Sequence, residues 1–121
     1  MAIRKTVEID GKAVEFKASA AIPRIYRLKF GRDIFVDLNN LSKALEGDTP
    51  LDVFSLEIFE NVAYIMAKHA SPTIPDTAEE WLDDFNTFSI YQILPEIMEL
   101  WGNNLKSDVE AKKNMLKVSE S

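Results

Sequence analysis

The pair Asp10-Gly11, set between two short alternating runs, constrains the start of this chain more than any other feature. A type I′ turn needs positive φ at both central positions, and Asp-Gly supplies it at low cost. A two-residue loop there pairs Ile9 with Lys12, Val7 with Val14, Lys5 with Phe16 and Ile3 with Ala18. That register puts Ile3, Val7, Ile9, Val14 and Phe16 on one face of a hairpin over residues 3–18. Arg4, Thr6, Glu8, Ala13, Glu15 and Lys17 take the other face. Register and apolar pattern are separate signals, and they agree.

From Ser19 onward the apolar spacing becomes helical. A first helix opens at Ser19 or Ala20 with Pro23 in its first turn, where a missing N–H costs little, and closes at Phe30-Gly31. Asp33 caps a second helix carrying Ile34, Phe35, Leu38, Leu41 and Leu45, with Gly47 just past its end and a turn over Glu46–Pro50. Asp52 caps a third helix to about Ala70, whose wide apolar stripe, Phe54 to Met66, marks it as the central one. Thr77-Ala78-Glu79-Glu80 matches a capping box and starts a short helix with Trp81, Leu82 and Phe85. A last helix spans Ser89 to Trp101, and Pro95 inside it predicts a kink or a fresh start.

The architecture expected is small α+β: mainly α with an N-terminal β-hairpin and about five helices. Residues 1–101 form a single domain, with 3–18 the hairpin and 19–101 the helical body. Residues 102–121 read as a polar tail, frayed or disordered. A length of 121 residues and 46% apolar content allow one modest core and exclude global disorder.

Charge is unevenly shared. Residues 1–32 hold eight Lys/Arg against three Asp/Glu, while residues 33–101 hold two against fourteen. The acidic balance argues against nucleic-acid binding, which needs clustered cations. Cysteine is absent, so disulfides, thiolate metal sites and cysteine nucleophiles are excluded. No secretory apolar stretch and no run long enough to span a bilayer is visible.

Catalytic chemistry finds no residue to rest on. Four glycines stand apart at 11, 31, 47 and 102, so no phosphate loop exists, and no serine elbow or zinc-protease motif occurs. His69, the one histidine, falls near the end of the third helix, where the helix dipole favours a partly cationic ring; its expected role is structural. Glu79, Glu80, Asp83 and Asp84 lack the pattern of a calcium loop and read as a solvated helix face. The expectation is a protein that is not an enzyme and carries no cofactor or metal.

Large rings are the remaining asset. Twelve aromatics are many for an ordered body of this size, and the stretch Trp81 to Tyr91 is densest in them. Trp81, Phe85, Phe88, Tyr91 and Trp101 are therefore candidates for a partner-binding groove. Packing between the last helices is the competing reading of the same residues.

Several stretches resemble tail assembly chaperones of long-tailed phages and prophages of Gram-positive bacteria. They are Phe16 to Arg27, Phe30-Gly31-Arg32-Asp33-Ile34, Leu56 to Ala67 and Thr77 to Phe85. These are packing and capping patterns and carry no catalytic motif. The resemblance implies a small, mostly helical protein of the bacterial host cytoplasm. It would bind the long, apolar tape measure protein, keep it soluble, and be displaced as tail tube protein polymerises. Such proteins are not retained in the finished tail, and many of their genes also yield a longer, frameshifted form. Lys112-Lys113-Asn114 is compatible with an A-rich slippery stretch. Partners implied are thus the tape measure protein, the tail tube protein and the longer form, with a homo-oligomer among the allowed states and with no nucleic acid or membrane. The alternative is a structural tail or connector-associated subunit that self-assembles through the hairpin's edges.

Overall fold

The computed structural model describes residues 3–47, 52–86 and 88–101. Strands β1 (Ile3–Ile9) and β2 (Lys12–Ala18) pair antiparallel in the expected register, from Ile9 opposite Lys12 to Ile3 opposite Ala18. Asp10 (φ +54°) and Gly11 (φ +77°) both take left-handed conformations, as a type I′ turn requires. Val7, Ile9, Phe16 and Ala18 are buried and Ile3 and Val14 pack at the margin, so the alternation does set which face is covered.

Helix α1 (Ile22–Phe30) begins slightly later than the sequence suggests. The Ser19 hydroxyl and carbonyl first accept the N–H groups of Ala21 and Ile22, forming a turn that delays the helix. Pro23 sits in the first turn, and Gly31 closes the helix at φ +67° with its N–H on the Arg27 carbonyl. Helix α2 (Ile34–Leu45) is capped by Asp33, whose carboxylate accepts from the N–H groups of Phe35 and Val36. Helix α3 (Val53–Ala70) is capped by Asp52, and α4 (Ala78–Leu82) by Thr77, as expected.

Chain beyond α4 differs in detail from one continuous helix. A 3-10 turn (Ser89–Ile93) leads into α5, residues 94–101, so Pro95 lies in the first turn of a new α-helix. The 3-10 geometry arises where the ladder must be reset before a residue without an N–H. The described residues thus form an antiparallel hairpin followed by five helices, a small α+β fold. The turn residues 48–50 and the tail expected over 102–121 lie outside the described residues.

Helix α3 is the central element. From Ile58 to Ala67 all its residues except Glu60 and Asn61 are buried, and β2, α1, α2 and α4 all pack on it. One cluster of buried side chains runs from Val7 through Tyr26, Leu38 and Phe59 to Trp101. Lys68 pins the connection after α3 by donating to the carbonyls of Pro72 and Ile74, while the Tyr64 hydroxyl donates to the Pro75 carbonyl at 2.6 Å. No helix among the described residues is long and apolar enough to cross a membrane.

Candidate interaction surface

The five aromatics proposed for partner binding do not share a surface. Trp81 and Trp101 are each 3% exposed, which corrects their assignment to an open groove. Trp81 fills the space between the hairpin and α3, edge-on to Phe16 (6.4 Å between ring centroids) and to Phe85 (5.2 Å), and tilted against Tyr64 (5.9 Å). Trp101 donates its indole N–H to the Met66 sulfur at 2.8 Å inside the core. The physical reason is shared: a large ring contributes most when it is buried against other side chains.

Phe85 and Tyr91 are half-buried. Lys12 stands 5.9 Å from the Phe85 ring centre, and Tyr91 packs on Phe59 while its hydroxyl lies 3.5 Å from a Glu60 oxygen. Burial pushes the Glu60 carboxyl up, and the negative charge of Glu57 adds to the effect. Phe88 alone of the five is open, at 75% exposure.

The loop bearing Phe88 is held by the tip of the hairpin. The Asp10 carboxylate accepts from the Asn86 backbone N–H at 2.7 Å, from the Asn86 side-chain amide, and from the Ser89 hydroxyl. These bonds, that from Ser89 foremost, hold Asp10 below the usual carboxylate range. Lys12 adds a bond to the Asp84 carbonyl.

Other large apolar side chains are open at a different place. Leu28 near the end of α1, Phe35 and Val36 in the first turn of α2, and Val53 and Phe54 at the start of α3 are all exposed, with Leu45 at the other end of α2. Phe35, Leu45 and Phe54 belong to the apolar stripes read from the sequence, yet they face outward. Asp37 takes an inward position on α2 and is 1% exposed. Its carboxylate accepts from the Tyr26 hydroxyl at 2.7 Å and from Arg32 through Nε (2.7 Å) and a terminal nitrogen (2.6 Å). Burial pushes Asp37 up, but the Arg32 and Tyr26 bonds outweigh it and hold the group below its ordinary value. Arg32 in turn lies 4.7 Å from the Phe54 ring centre. Leu28, Phe35 and Val36 therefore lie within about one helical turn, along the chain, of the α1–α2 junction, and Arg32 links Phe54 to it. One sequence signal marks this arrangement: in Ile34-Phe35-Val36 three apolar residues in succession cannot all face inward on a helix.

His69 and Ser19 meet, with Nε2 and Oγ 3.2 Å apart. Burial depresses the imidazole and the nearby Lys17 and Arg4 depress it further, which works against the partly cationic ring that the dipole argument suggested. The charged groups acting on this imidazole are cations, opposite in sign to the carboxylate that orients a catalytic histidine. Among the described residues no group of three His, Asp or Glu side chains converges as a metal site. A depressed histidine stabilises the fold in its neutral form. Stability is therefore expected to fall as pH drops below 6.5, the ordinary histidine value, because the unfolded chain binds the proton first. Urea unfolding at pH 7.5 and 5.5 checks this: His69→Gln should flatten the difference, and an unchanged slope would assign it to other groups.

Comparison with family models, with curated proteins and with solved structures finds no match to this chain.

Proposed function

We propose that this protein is a tail assembly chaperone that binds the tape measure protein of a long-tailed phage or prophage. The observation that carries the reading is a set of large apolar side chains left open on a highly charged body. Leu28, Val53 and Phe88 are 73%, 81% and 75% exposed, and Phe35, Val36 and Phe54 about half. Large apolar side chains in the open are available to a client, and they suit an apolar helix. The net charge of −6 keeps such a surface dissolved while it is unoccupied.

The role is non-enzymatic. The chain works in the cytoplasm of the bacterial host and is displaced by tail tube protein, so it is not part of the finished tail. Release needs no nucleotide: moderate affinity and competition from the polymerising tube are sufficient. A longer frameshifted form would share the client. Docking centres on the α1–α2 junction, where Arg32 and Phe54 are already organised by Asp37, in place of the Trp81 and Trp101 region.

Co-expression with the tape measure protein of the same genome tests the reading. The client is expected to stay in the soluble fraction and to co-purify. Ser replacements at Leu28, Phe35 and Phe54 should cut capture about tenfold or more while helix content stays constant. Failure to keep the client soluble, with rings or tubes formed by this chain alone, would favour the second reading, a self-assembling tail or connector-associated subunit. That second reading draws on the sheet's edges, which pair with no further strand among the described residues.

A further inference from the structure

Strand β1 presents an edge with a self-complementary code. In this hairpin Ile9–Lys12 closes the turn, so the backbone groups of Ile3, Lys5, Val7 and Ile9 face β2. The N–H and C=O groups of Arg4, Thr6 and Glu8 then point away from it. Among the described residues the sheet has two strands, and no backbone group pairs with this outer edge. All three residues are exposed. The body sits mainly under β2, which lies along α3, whereas the main contact of β1 outside the hairpin is with the 3-10 turn, which leaves β1 toward the rim of the fold. Lys5 extends from that rim to Glu99 at 3.8 Å.

We infer that β1 pairs antiparallel with β1 of a second copy about a twofold axis at Thr6, giving a four-stranded sheet. In that register Arg4 lies opposite Glu8 of the second copy, Thr6 opposite Thr6, and Glu8 opposite Arg4. Every outward-facing backbone group of the three residues gains a partner. Opposite charges and paired threonines are favourable directly across a ladder. On the covered face the same register sets Ile3 against Ile9 and Lys5 against Val7, so apolar surface and the lysine stem meet there.

The competing edges are worse. Outward groups on β2 belong to Ala13, Glu15 and Lys17, and a twofold about Glu15 places two carboxylates face to face. Pairing β1 with β2 of another copy over three residues sets Arg4 against Lys17. Only the β1–β1 register offers two unlike pairs and no like pair. Glu8 faces Ala13 at home and holds no ion pair among the described residues. Arg4 already holds Glu15 at 2.8 Å, but a guanidinium has five donors and keeps some for a second carboxylate. A twofold interface closes on itself, which yields dimers and not filaments. This inference stands apart from the chaperone reading, since it needs no client.

Sedimentation of the full-length chain over a wide concentration range tests it. The expected result is a reversible monomer–dimer equilibrium. Glu8→Arg places two cations opposite each other twice per dimer and should weaken association about tenfold or more. The double change Arg4→Glu with Glu8→Arg restores unlike pairs and should bring the dimer back. Thr6→Pro removes an outward N–H without touching the β1–β2 ladder and should also yield monomer, with circular dichroism unchanged. A wild-type chain that stays monomeric at the highest concentration would overturn the inference. So would assemblies larger than dimers, or a dimer indifferent to Glu8→Arg and Thr6→Pro.

Discussion

Replacing Asp37 with Ala is expected to lower the unfolding free energy by about 2–4 kcal/mol, more than any surface change in this protein. The carboxylate is almost wholly buried, and it satisfies the hydroxyl of the fully buried Tyr26 as well as two nitrogens of Arg32. Removing it strands a phenol in the core and a guanidinium at its edge. Arg32 is 40% exposed at its side chain and can turn to water, which keeps the cost below that of a fully enclosed pair. Tyr26→Phe, which leaves the Arg32–Asp37 pair in place, should cost only about 1–2 kcal/mol. Urea midpoints with unchanged slopes would establish both values. The pH dependence has a definite sign. Asp37 is held below its ordinary 3.8, so its contribution is complete above that value and is lost as pH falls through the folded-state value. The gap between wild type and Asp37→Ala should therefore narrow in acid. A variant within about 0.5 kcal/mol of wild type at pH 7 would mean the cluster is not a structural element.

Trp81→Ala is expected to cost about 3–5 kcal/mol, a large share of the roughly 5–15 kcal/mol typical of such a domain. The indole touches Phe16 of β2, Tyr64 of α3 and Phe85 beyond α4, so its loss opens a cavity where three parts of the chain meet. Phe88→Ser, seven residues along but 75% exposed, should change stability by less than about 0.5 kcal/mol. Thermal unfolding of the two variants separates core from surface within one aromatic stretch. If Trp81→Ala kept its midpoint and lost client capture instead, Trp81 would return to the partner-binding set.

These two residues also show what sequence can and cannot reveal. Local signals carry through: Asp10-Gly11 sets the register, Asp33, Asp52 and Thr77 cap the helices expected of them, and Pro95 marks a restart. Each depends on residues a few positions apart. Asp37 depends on Tyr26 from α1 and on Arg32 from the turn before its own helix, and nothing in the helical spacing signals that these two groups meet it. Phe35 and Phe54 match helical periodicity, but periodicity says nothing of whether a neighbouring element comes to cover them. The same limit applies to the aromatics, where composition cannot separate the buried Trp81 from the open Phe88. A partner-binding surface is what packing leaves uncovered, which makes it the last property a linear pattern can show.

The clasp between Asp10 and the Asn86–Ser89 segment carries a consequence for how the chain is made. The hairpin needs only its first eighteen residues to form, but its tip is secured by groups 76 and 79 positions later. During synthesis β1 and β2 therefore emerge long before the residues that lock them, and two strands alone are marginal in water. Helix α3 offers the first apolar surface on which β2 can settle. Asp10 closes the ring only after the Asn86–Ser89 segment has left the ribosome, with α5 still to follow, so the clasp joins a turn made early to a segment made long after it.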